Sequence, residues 1–150
     1  MQSKTDFETE LARNGYIVYT NTGTSMMPML RQHSDLIVIH ARPEGRLKKY
    51  DVILFRRDEK YVLHRIIKVR KNDYLVCGDN QFRPEYVSDS QIIGVLTSYV
   101  REGREIPVTD SEYLKYVHRT CDAFRLRCLV LYAKYMKARL AHKIHEKRNR

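Results

Sequence analysis

A chain of 150 residues and 17.9 kDa has room for one compact domain and an appendage but not for two separate cores, and 43% hydrophobic against 31% charged residues excludes wholesale disorder. The net charge of +10 is unevenly placed: residues 111–150 hold 11 Lys/Arg against 3 Asp/Glu, whereas residues 1–110 hold 17 against 15. A nearly neutral body with a basic C-terminal segment points to an anionic tethering surface more than to an acidic substrate, and the longest apolar run, Cys128 to Ala133, falls far short of the ~20 residues a spanning helix needs.

The first residues lack the apolar stretch of a secretory signal. Cys77, Cys121 and Cys128 contain no CxxC pair, and an odd count argues against a disulfide framework. A reduced, cytoplasmic setting is therefore expected, with peripheral membrane contact as the alternative. Thr5 and Glu8 have the spacing of a capping box, and Phe7 and Leu11 lie one turn apart, which predicts a short helix ending near Gly15. Residues 16–19 read as a strand. A turn follows at Gly23-Thr24-Ser25-Met26-Met27-Pro28, leading into a short helical stretch over 26–31 in which Pro28 is tolerable in the first turn.

Beyond it the pattern is β. Residues 35–40, 50–56, 60–70, 74–77 and 91–100 are rich in Val, Ile, Leu and Tyr, with turns or loops between them, including one long loop over 79–90. The expected fold is mainly β, a small coiled antiparallel sheet or partial barrel. Residues 107–111 mark a boundary between a domain at 1–110 and an appendage at 111–150. In the appendage Leu114, Val117, Cys121, Phe124, Cys128, Leu131 and Tyr135 alternate steps of three and four, the face of one long basic helix.

Chemistry concentrates at three places. Ser25 stands at a strand-to-helix turn, His64 on a strand, and Asp79 in the turn Gly78-Asp79-Asn80. A serine hydroxyl is a weak nucleophile at neutral pH and needs a neutral base within reach, which an imidazole with an ordinary pKa near ~6.5 supplies. A carboxylate on the other ring nitrogen fixes the tautomer, and the Ser25 N–H, with Thr24 or Gly23, is placed to receive an oxyanion. Met26 and Pro28 read as residues that shape the turn and line the cleft. Each position also has a plainer role: Ser25 as a helix cap, His64 as a strand residue with Lys60 or Lys68 as the rival base, and Asp79 as an Asx-turn. His33, His40, His118, His142 and His145 make no metal-ligand spacing with the cysteines, so neither metal nor cofactor is expected.

The boxes Gly23 to Leu30, Asp35 to Ile39, Tyr50 to Phe55, His64-Arg65-Ile66, Gly78-Asp79-Asn80 and Ile92 to Val95, in that order, resemble the catalytic region of type I signal peptidases and the related LexA-like self-cleaving repressors. The resemblance spans residues 16–100. It implies a coiled mainly-β fold with Ser25 at a turn, and endoproteolysis through an acyl-enzyme. Bacterial-type members and the repressors place a lysine where this chain has His64; histidine resembles the archaeal and endoplasmic-reticulum branch, which pairs Ser and His with an Asp. That branch often carries a second acid after the Gly-Asp-Asn box, a position Glu85 or Asp89 fills here. Unlike the signal peptidases the chain shows no membrane anchor, and unlike the repressors it has no Ala-Gly to cut and too few residues before the motif for a helix-turn-helix.

Two functions follow from this reading. One is a serine endopeptidase that removes leader or signal segments from a peptide or protein substrate. The other is a non-catalytic binding module whose basic helix docks on an anionic membrane or a partner. The helix itself is a solvated face packed on its own domain, an interfacial helix, or a homodimer seam. No specific nucleic-acid signature is present.

Overall fold

The computed structural model describes residues 4–148, with side chains over 7–145. Helix α1 (Lys4–Asn14) buries Leu11, and Phe7, the other apolar position predicted for it, packs partly buried against the same core. The capping side chain expected at Thr5 lies outside the described side chains. α1 stops where Gly15 takes φ +78 and its N–H reaches the Leu11 carbonyl at 2.8 Å, a C-terminal turn that favours glycine.

Eight strands follow: β1 (Tyr16–Thr20), β2 (Leu36–Ala41), β3 (Val52–Arg57), β4 (Lys60–Val69), β5 (Asp73–Cys77), β6 (Glu85–Ser88), β7 (Ile92–Arg101) and β8 (Arg104–Pro107). They form one open antiparallel sheet in the order β1-β2-β7-β3-β4-β5-β6, with β8 on β7. The mainly-β expectation holds. Register shifts at Val38/Ile39, Leu54/Phe55 and Ile66/Lys68 are the bulges that let such a sheet coil. Because it coils, β3 is covered on both faces. Val52 and Leu54 join a cluster with Leu11, Ile17, Ile37, Ile39 and Leu96, while Ile53 and Phe55 join a second with Ile66, Tyr74 and Val76.

Three expectations change. Residues 25–29 form turns where a helix over 26–31 is expected: Pro28 has no N–H to extend an α-helical ladder, and the Met27 and Leu30 amides bond Thr24 O and Met26 O separately, at 3.1 and 3.0 Å. The loop expected over 79–90 contains β6, a short edge strand entered from Pro84, where proline is tolerated. The single C-terminal helix is two, α2 (Ser111–Asp122) and α3 (Phe124–Arg148), broken at Ala123. Asp110 caps α2 by accepting from Glu112 N and Tyr113 N at 2.9 and 3.1 Å. Tyr113, Val117 and Cys121, one turn apart, enter the larger core. Asp122 at the end of α2 is held by Tyr50 Oη at 2.7 Å, and the chain then turns so that Arg127 of α3 reaches Asp79.

Candidate active site

Asn21, after β1, holds the loop that carries Ser25: its amide donates to Gly23 O at 3.0 Å and Leu30 O at 3.4 Å and accepts from Gly23 N at 3.3 Å. Met26, Met29 and Leu30 sink into the core and anchor the turn from below. Asp35 ties down its exit, accepting from Arg31 N at 2.8 Å and from Arg101 at 2.6 and 3.1 Å, while Arg101 also reaches Met29 O at 2.7 Å. Burial pushes the Asp35 pKa up, but these donors more than offset it and hold the carboxyl below its ordinary value. Neither Asn21 nor Asp35 was singled out from sequence, although an Asn just before a Gly-rich turn is a signal for such a staple.

The turn at Gly78-Asp79-Asn80 closes on Ser25 from the opposite side. Asn80 donates its N–H to Ser25 O at 2.7 Å and its side-chain amide to Thr24 O at 3.3 Å. A β-carbon at Gly78 would stand 2.6 Å from Ser25 O and 3.0 Å from Ser25 Cβ, so only glycine permits this approach. Gly78→Ala is expected to cost about 1–3 kcal/mol of stability, measured by urea unfolding, because the Ser25 backbone must move to admit the methyl. Among the described residues no backbone hydrogen bond engages the Ser25 N–H, which leaves it free to donate.

Ser25 and His64 line one groove of about 940 Å³, together with Gly23, Thr24, Met26, Lys60 and residues Val18 to Thr20 of β1. Pro28 lies apart from it, on the wall of a second cavity between β8 and α2. Of the rival bases, Lys60 reaches the groove and Lys68 does not.

His64 is 1% exposed. Glu85 Oε1 lies 2.9 Å from its Nδ1, off the line of a well-aligned hydrogen bond, and Arg57 holds both Glu85 oxygens, at 3.0 and 3.2 Å. The Phe55 ring meets the imidazole edge-on at 5.8 Å. Burial lowers the His64 pKa; Glu85 works against that and Arg57 with it, and the net result is below the ordinary 6.5. The ring is therefore neutral at pH 7, and a carboxylate at Nδ1 selects the tautomer protonated there. Nε2 makes no hydrogen bond among the described residues, Ser25 included, so the two side chains share the groove without a direct bond.

Asp79 faces elsewhere. Its carboxylate takes a two-pronged bond from Arg65, Nε to Oδ1 at 2.9 Å and Nη2 to Oδ2 at 2.7 Å, and a bond from Tyr116 Oη at 3.2 Å. Arg127 Nη1 stands 3.6 Å from Oδ1. Arg65 is itself fully buried and donates to Tyr50 O and Tyr113 Oη at 3.0 and 3.1 Å. Burial opposes its charge, and Asp79 more than compensates, raising the Arg65 pKa. The acid against His64 is thus Glu85; Asp89, the other alternative, binds Arg42, Arg46 and Tyr74. Arg65 was missed as a partner, though it sits beside the histidine in His64-Arg65-Ile66. The nearby thiols are no competing nucleophiles, since burial pushes Cys77 up to about 12 and Cys121 up to about 11.

Among the described residues no helix is long and apolar enough to cross a membrane. A search of curated proteins finds no match to the sequence. The family model described as Peptidase S24-like matches residues 2–97, the stretch from α1 into β7 that contains Ser25, His64, Asp79 and Glu85. The chain belongs to the Peptidase S24-like family, within the superfamily of LexA-like and signal-peptidase-like serine peptidases.

Proposed function

We propose that this protein is a serine endopeptidase of the signal peptidase type that removes leader or signal segments from peptides, with Ser25 as nucleophile and His64 as general base. One observation carries the reading: a buried, neutral imidazole whose Nε2 makes no hydrogen bond among the described residues lines the same groove as Ser25, while Glu85 stands at its Nδ1. Substrate binding brings Ser25 Oγ and Nε2 into hydrogen-bond range, a tightening that apo sites commonly await. Oγ then attacks the scissile carbonyl as its proton passes to Nε2. The new imidazolium is stabilised by Glu85, which Arg57 holds in place. The oxyanion is received by the Ser25 N–H, with Thr24 or Gly23 beside it. The imidazolium next protonates the leaving amine, and water repeats the sequence to release the acyl group.

β1 is an edge strand of the sheet and its residues Val18 to Thr20 line the groove, so a substrate in extended form adds alongside it through main-chain bonds. Asp79 serves this site as a positioning residue: it anchors Arg65, and the turn it belongs to holds the Ser25 carbonyl.

The test is incubation with a mixed peptide library and mass spectrometry of the products. The expected result is internal cleavage after small residues, absent with Ser25→Ala. No cleavage by the wild type, or equal cleavage by Ser25→Ala, contradicts the proposal and favours the non-catalytic binding module. The pH dependence is also fixed. The base must be unprotonated and its pKa is lowered, so kcat/KM is expected to rise with pH through a limb below 6.5 and to be level at neutral pH. Glu85→Gln removes an interaction that raises this pKa, and moves the limb to lower pH.

A further inference from the structure

Helix α3 carries apolar residues on two opposite faces. One meets the body: Arg127 stands beside Asp79, and the rings of Tyr132 and Tyr135 lie 5.5 Å from Phe82. The other faces outward among the described residues. Leu126, Leu129, Val130, Leu140 and Ile144 are 63, 66, 46, 55 and 59% exposed, and helical geometry places all five within about 100° of arc. They run for roughly 27 Å along the helix. Packing on the body does not require them, and five exposed aliphatic side chains in one stripe form a patch that calls for an occupant.

Charge decides which occupant. In α3 Lys and Arg outnumber acids eight to one, Glu146 being the one acid. A second copy of the chain docked stripe to stripe would set like charges against each other with no acidic partners along the flanks. Arg125, Arg139 and Lys143 border the stripe on one side and Lys134 on the other, and Lys137 lies within it. Their long stems can bury alongside the aliphatic side chains while the charged heads reach outward. An aliphatic stripe with basic borders matches an anionic lipid surface.

We propose that α3 is an interfacial helix that docks the protein on an anionic lipid surface, with Leu126, Leu129, Val130, Leu140 and Ile144 at the acyl boundary and its Lys and Arg among the headgroups. This does not depend on the chemistry of Ser25.

The test is flotation of the full chain with phosphatidylcholine vesicles, with and without phosphatidylserine. Phosphatidylserine is expected to raise the bound fraction by about tenfold or more, with the gain falling as salt rises. Leu126→Asp/Leu129→Asp alters exposed positions, so circular dichroism should be unchanged while binding is lost. Lys134→Gln/Lys137→Gln is a second variant that weakens binding while leaving all five aliphatic side chains in place. Absence of binding to phosphatidylserine vesicles overturns the proposal. So does unchanged binding by folded Leu126→Asp/Leu129→Asp, which would leave a bare electrostatic attraction. A dimer in sedimentation that the same substitution dissolves also overturns it, because a second copy would then be the occupant.

Discussion

Alanine in place of His64 is expected to slow Ser25 acylation by about 10⁴–10⁶-fold, because nucleophile and base act as a unit and the loss of either removes most of their joint effect. The measurement is the rate of peptide cleavage by His64→Ala against wild type at saturating substrate. The residue is 1% exposed, so some stability is lost with the ring, and activity is to be compared at a temperature where both proteins are folded. A rate within about tenfold of wild type would assign the base elsewhere, and Lys60, which lines the same groove, would be next to test.

The second large effect concerns stability. Asp79→Ala leaves the Arg65 guanidinium buried without its carboxylate, and breaking a buried pair in this way costs about 3–5 kcal/mol. Tyr116 loses its acceptor and Arg127 its nearby counter-charge, so the loss extends into α2 and α3. Urea unfolding is expected to show that loss for Asp79→Ala and much less for Glu85→Gln, whose carboxylate lies near the surface and touches Arg57 and His64. Under the proposed mechanism activity should order differently: Glu85→Gln is expected to lower cleavage with the fold intact, and Asp79→Ala to act through the fold. Replacing the pair together, Arg65→Met/Asp79→Leu, is expected to recover part of the stability, since the uncompensated charge is gone.

The contrast between these acids shows what could be read from the chain. Ser25 and His64 were legible because each sits in a local pattern, a strand followed by a Gly-Thr-Ser turn and an apolar run interrupted by His-Arg. The strands were legible for the same reason: β2, β3, β4, β5 and β7 fall within one or two residues of the runs rich in Val, Ile, Leu and Tyr. Which carboxylate meets the imidazole depends instead on how distant strands pair. Arg65 lies opposite Cys77 in the β4–β5 ladder, which puts the turn after Cys77 on the Arg65 side and gives Asp79 to Arg65. Ile66 pairs with Val76 and Val76 with Glu85, and that row brings Glu85 from β6 to His64. No periodicity within β6, a strand of four residues with Glu at its start, announces such a row.

The C-terminal segment shows a related limit. The steps of three and four from Leu114 to Tyr135 are continuous in sequence, and no glycine or proline marks a break. The helix nonetheless ends at Asp122, where Tyr50 and Lys49 hold the carboxylate. Leu114, the first residue of the predicted face, is 41% exposed while its neighbour Tyr113 is buried against Arg65. A hydrogen-bonding side chain took the inward position there because the core at that point contains a charge.

The reactivity of Ser25 is the most direct measure of serine catalysis by this protein. Intact-mass and peptide-mass measurement after exposure to a serine-reactive phosphonate is predicted to show one adduct on Ser25 in the wild type, formed at neutral pH and suppressed by His64→Ala. An unmodified wild-type protein, or an adduct that forms as fast without the imidazole, would contradict it.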